Sequence, residues 1–193
     1  AEEIFRIPLN PVNNSTATDT ALGTVGVALN GIPVYNPFED PNETAAYGRI
    51  FSGCCGHPQI NGVYHYHKYP TCLRLIKDDW KSEKDKCDEI DALLVANGHS
   101  PLIGFAADGW PIYGPVGWRN ADNKTGVLLL SSYTGTNDSA GNPAYVAGSG
   151  DLDECNGLVS PTPEFPEGIY HYVMSIEADP DGTVLRYLNP HFG

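Results

Sequence analysis

The segment GVYHYHKY, residues 62 to 69, sets rings two apart on alternate sides of the chain, and that alternation constrains the fold most. A strict period of two is a strand signature, because successive side chains point to opposite faces. His65 and His67 therefore share one face of a strand. Tyr64 and Tyr66 share the other, where they can pack against a second layer. A near-copy, EGIYHYVMSIE, returns at residues 167 to 177. The echo is too short for a repeat array and reads as two pseudo-equivalent strands lying side by side.

The remaining segments follow the same style. TVGVALNGIPVYNP reads as strand, Asn-Gly turn, strand, since Asn-Gly suits a turn with positive φ at both central positions. LIGFAADGWPIYGP repeats the pattern around Asp108–Gly109. EIFRIPL, GVLLLSSY and the terminal GIYHYVMSIEADPDGTVLRYLNP are further strand candidates, the last a hairpin turning at DPDG. FEDPNETAAYGRIFSGCCGHPQ reads as a loop with a helical turn at 43–48. One substantial helix is expected within 78–97, capped by Asp78 or Asp79, with Cys87, Ile90, Leu93 and Leu94 on one face and Gly98 as its stop. No βαβ rhythm appears. The fold class is mainly β or α+β: an antiparallel, loop-rich sheet or sandwich with that one helix. The 193 residues fit a single domain with an irregular N-terminal arm over about 1–22.

Composition excludes several functions. The formal net charge is −13 with 11 basic residues, and no cationic stripe exists to neutralise phosphates. Nucleic acid and anionic membrane surfaces are disfavoured as partners. No apolar run approaches the roughly 18 residues of a bilayer span. A cationic partner or a metal ion fits better, with a small molecule or glycan as a further candidate; oligomeric state is not legible. Five cysteines, five N-x-S/T triplets (from Asn13, Asn14, Asn42, Asn123 and Asn137) and an initial Ala read as a trimmed, exported glycoprotein with disulfides. The expected pairing is Cys72 with Cys87, and Cys155 with Cys54 or Cys55.

Three imidazoles with an open position are the ligand pattern of catalytic zinc, and they suit copper equally. His65 and His67 supply two, and His171 in the echo is the expected third. His99 is a further candidate, His57 joins if its link to residue 65 folds back, and His191 ranks last. Asp153 and Glu154, in GDLDECNG, are candidates for general base or outer partner, and their cluster with Asp151 also suits calcium. Asp108 is turn chemistry first and a site residue second. Two functions compete. One is a zinc or copper protein, hydrolytic or redox-active. The other is a non-catalytic secreted module for glycan or calcium, with hydrogen-bonded structural histidines.

GVYHYHKYPTC, GHSPLIGFAADGWPIYGP, DLDECNG and PEFPEGIYHY occur in this order and together resemble the YHYH-domain proteins over about residues 50 to 175. The resemblance implies export and a shared fold more than an activity. In the family pattern the second phrase also reads Y-H-Y-H, and Val173 stands here at its last position. His65, His67 and His171 carry over as site positions, with His99 and Asp108 in matching blocks.

Overall fold

The computed structural model describes residues 4–13, 16–18, 20–36, 38–40, 43–44, 51–70, 73, 98–137, 143–178 and 185–186. In chain order the strands are β1 (Thr24–Ala28), β2 (Pro33–Tyr35), β3 (Phe38–Asp40), β4 (Glu43–Thr44), β5 (Gly56–Pro58), β6 (Tyr64–Tyr66), β7 (Leu102–Ala106) and β8 (Pro111–Tyr113). They continue as β9 (Val116–Gly117), β10 (Val127–Leu128), β11 (Tyr133–Asn137), β12 (Pro143–Tyr145), β13 (Gly157–Ser160), β14 (Ile169–Val173), β15 (Glu177–Ala178) and β16 (Leu185–Arg186). Among the described residues there is no α-helix, and the helix expected over 78–97 lies outside them. So do His191, Cys72 and Cys87. The segment 4–10 carries no strand.

Among the described residues, eight strands form one sheet, in the order β13-β14-β8-β7-β1-β2-β6-β5, beside four two-stranded ribbons. The sheet is mixed rather than purely antiparallel: β2 pairs parallel with β6, and β8 parallel with β14. Each parallel pair is joined by a long connection, which parallel pairing requires. The expected hairpins form, but not through turns with positive φ at both central residues: Gly31 (φ 80°) and Gly109 (φ 99°) are left-handed, while Asn30 and Asp108 are not. Each hairpin closes on a three-residue loop with glycine in the left-handed position.

The order hides an internal duplication. β1-β2-β6-β5 and β7-β8-β14-β13 are the same four-stranded unit, related by a pseudo-twofold at the antiparallel β1–β7 pair. The cross-strand registers coincide. Gly56 faces Tyr66 and His57 faces His65; Gly157 faces Tyr172 and Leu158 faces His171. The residues preceding those glycines, Cys55 (φ 63°) and Asn156 (φ 58°), are the two non-glycine positions in left-handed backbone among the described residues. Each tyrosine hydroxyl meets the turn of the other hairpin in its own half: Asn30 Nδ2 donates to Tyr66 (3.0 Å), and Tyr172 donates to Asp108 Oδ2 (2.5 Å). Tyr66 and Tyr172 belong to one apolar core with Val25, Val34, Ile103 and Ile112. The two YHY strands therefore do not lie side by side. β8, β7, β1 and β2 separate them, which places them about 24 Å apart at the usual strand spacing.

At the join, glycine permits a close approach. A Cβ on Gly104 would stand 2.1 Å from Val27 O, and one on Gly26 2.8 Å from Phe105 O. Gly104→Ala must push β1 and β7 apart and lower stability by at least about 2 kcal/mol. Gly148→Ala, at φ 77° with open space around it, carries only the left-handed penalty of about 1 kcal/mol. Urea midpoints of the two variants check the difference, and equal losses would contradict the packing account.

Candidate metal centre

β5 and β6 build the first site. His57 and His65 are register partners, and directly opposed residues of an antiparallel pair point to the same face. His67, two residues beyond His65, joins them. A Cβ on Gly56 would stand 2.5 Å from the Tyr64 ring, so glycine lets Tyr64 lie flat across β5 on the other face. All three histidines are buried, at 6%, 1% and 2% exposure, and their ligand atoms lie within 4.8 Å of one another.

Hydrogen bonding sets the tautomers. His65 Nδ1 contacts Val63 O at 3.0 Å, and His67 Nδ1 contacts Asn36 O at 2.6 Å. A carbonyl only accepts, so both Nδ1 atoms donate and both Nε2 atoms carry lone pairs. Those Nε2 atoms are 2.8 Å apart. Two lone pairs at that distance repel unless a cation, metal or proton, lies between them. Tyr35 stacks on His65 with centroids 4.0 Å apart, and its hydroxyl donates to Gln59 Oε1. Phe51 meets His57 edge-on, and Lys68 Nζ lies 4.3 Å from the Phe51 ring centroid. Leu22, Gly23, Gln59 and Ile60 border a cleft of ≈ 370 Å³ that reaches His65 and His67.

The other candidates lie elsewhere. His171 is separated from His65 and His67 by the strand order and sits instead with His99. This corrects the expectation of one ion shared by His65, His67 and His171: His57, the register partner, takes the third place. The signal was present in sequence as GHP ahead of YHYH, but choosing it required the β5–β6 register. Asp153 belongs to the other half and holds a turn. Its Oδ1 accepts from Cys155 N and Gly157 N (2.9 and 2.8 Å), and its Oδ2 from the Tyr170 hydroxyl (3.0 Å). Glu154 is exposed beside it. Asp108 accepts from Trp110 N and Tyr172 on the tyrosine face. Asp151 is engaged by Arg119 through two contacts, at 2.6 and 3.0 Å. These carboxylates serve turns and an ion pair, so neither calcium nor a base role beside His65 draws support from them. The pairing of Cys155 with Cys54 or Cys55 is likewise corrected: Cys155 keeps its thiol, while Cys54 and Cys55 are disulfide-bonded.

The sheet and its histidine cluster define a β protein with a buried, imidazole-only candidate metal centre. A family model described as YHYH protein matches residues 4–181, and the chain belongs to that family. No curated protein and no solved structure matches the chain.

His171 is fully buried, and burial chiefly lowers its pKa from 6.5 to about 4; the Ile169 carbonyl opposes the shift and nearby His99 adds to it. The folded chain then binds fewer protons than the unfolded one between those values. Stability from the neutral ring is full above pH 6.5 and is lost as pH falls towards 4. The shift corresponds to on the order of 3 kcal/mol. His171→Leu should flatten the fall in stability across that interval, read from urea midpoints at a series of pH values. An unchanged slope would contradict a buried neutral His171.

Proposed function

We propose that the protein binds a transition-metal ion through His57, His65 and His67, and that this centre is its functional site. The 2.8 Å approach of two Nε2 atoms whose Nδ1 partners are main-chain carbonyls carries the reading. The donors are three neutral nitrogens, a set suited to copper or zinc. The cleft beside His65 and His67 leaves a path for a small molecule to a further coordination position. Copper there supports redox chemistry or storage; zinc would support hydrolysis by acidified water.

Export accords with the sequons and with the disulfides at Cys54 and Cys55. Non-catalytic binding of a small molecule or glycan also has a specific feature in its favour. A cleft of ≈ 340 Å³ on the tyrosine face is lined by Trp110, Tyr145 and Tyr170 with Asp108 and Glu154, groups that stack and hydrogen-bond a sugar.

Elemental analysis of protein purified without an affinity tag, loaded with copper(II) and desalted, should find metal retained at this centre. The ion's paramagnetic resonance should show coupling to imidazole nitrogen. His57→Ala and His65→Ala should each abolish that signal, while His191→Ala should leave it intact. A copper signal unaffected by either of the first two substitutions would refute the assignment. Glycan binding that survives His65→Ala would favour the module instead.

A further inference from the structure

The duplication makes the second half a control on the first, and the comparison exposes another buried imidazole pair. His171 stands at the position of His65. Its Nδ1 contacts the carbonyl two residues back, Ile169 O at 3.1 Å, as His65 Nδ1 contacts Val63 O. Leu158 and Val173 occupy the places of His57 and His67. The three-imidazole set is therefore absent from this half. His99 enters instead from the loop before β7, three residues ahead of the strand. The equivalent residue ahead of β1 is Ala21, adjoining the Leu22–Gly23 rim of the first cleft.

His99 Nδ1 contacts Ser100 O at 2.7 Å, so its Nε2 too carries a lone pair. Among the described residues, both Nε2 atoms are buried and meet no hydrogen-bond donor. The residues are 7% and 0% exposed, and the ring centroids are 6.5 Å apart. Tyr113 packs edge-on against both, at 5.2 and 5.1 Å. Trp118 packs edge-on against His99. The Tyr113 hydroxyl is itself engaged by Thr162 and Glu164. Two buried acceptors, each left unsatisfied, carry a desolvation penalty.

We infer that His99 and His171 form a second, two-imidazole site for monovalent copper. Two neutral nitrogens satisfy a closed-shell monovalent ion that accepts near-linear coordination, whereas zinc requires about four ligands. The walls are aromatic and apolar, and the cost of burying an ion rises with the square of its charge, about fourfold from one charge to two. The site does not depend on the first centre.

The test uses the full chain with His65→Ala and His67→Ala, to disable the first centre, and Cys155→Ser, to remove a competing thiol. Copper(I), supplied anaerobically under ascorbate, is titrated against a chromophoric copper(I) chelator. One equivalent should bind. His99→Gln and His171→Gln should each weaken it more than about 100-fold, since losing even a supporting partner of a ligand costs 10–100-fold. Nitrogen-15 spectra of the background chain, with both residues intact, guard against misfolded variants. The Nε2 resonances of His99 and His171 should shift on copper(I) addition while their Nδ1 protons persist. Affinity unchanged in both variants, or Nε2 resonances that do not move because a buried water bridges the pair, would overturn the site.

Discussion

The close approach of β1 and β7 is the constraint on which the rest depends. Gly26 and Gly104 let two backbones meet where any Cβ would collide with the opposing main chain, and glycine in a strand interior is tolerated for such an approach. That join sets two copies of a four-stranded unit back to back. Within each copy the hairpin turn catches a tyrosine hydroxyl, Tyr66 at Asn30 and Tyr172 at Asp108. A one-residue slip of β6 or β14 would turn the tyrosines outward and bury the histidines among apolar side chains. The tyrosine anchors on one face thus fix where the imidazoles stand on the other.

Much of this was legible in the chain. Alternation located β6 and β14, and the Asn-Gly and Asp-Gly pairs located both hairpins, because these signals are local. What was not legible is the order of strands across the sheet. Similarity between Tyr64–His67 and Tyr170–Val173 reads equally well as neighbours or as symmetry mates. Only the β1–β7 join decides, and it places His171 far from His65. His57 was obscure for a related reason: its link to His65 is a register, and registers follow from turn geometry and packing rather than from spacing. Asp153 misleads in the opposite way. A carboxylate among acidic neighbours looks chemical, yet its two oxygens accept three hydrogen bonds that shape the turn before β13, where Ser52 holds the matching place.

Divergence between the halves separates scaffold from chemistry. The left-handed residue before the glycine, the tyrosine laid over that glycine, the hydroxyl held by the turn and the histidine bonded to the carbonyl two residues back are common to both. These features build the sheet wherever they occur, so His65 and His171 alone say little about function. The differences carry it. His57 and His67 stand against Leu158 and Val173, and no packing requirement of the shared scaffold demands imidazole there, since the second half fills the same places with aliphatic side chains.

That contrast bears on the reading of all these histidines as structural. A structural histidine gains from burial when both ring nitrogens find partners. At His65, His67, His99 and His171 each Nδ1 is met by a main-chain carbonyl, and the scaffold thereby presents Nε2 lone pairs towards one another or into buried space. Burial holds the rings of His99 and His171 neutral against protonation. A neutral imidazole with its far nitrogen pinned is the state a metal requires, and deprotonation then adds no further cost to binding. The carbonyl contacts are thus the means by which a β-sheet can present nitrogen donors suited to a metal ion.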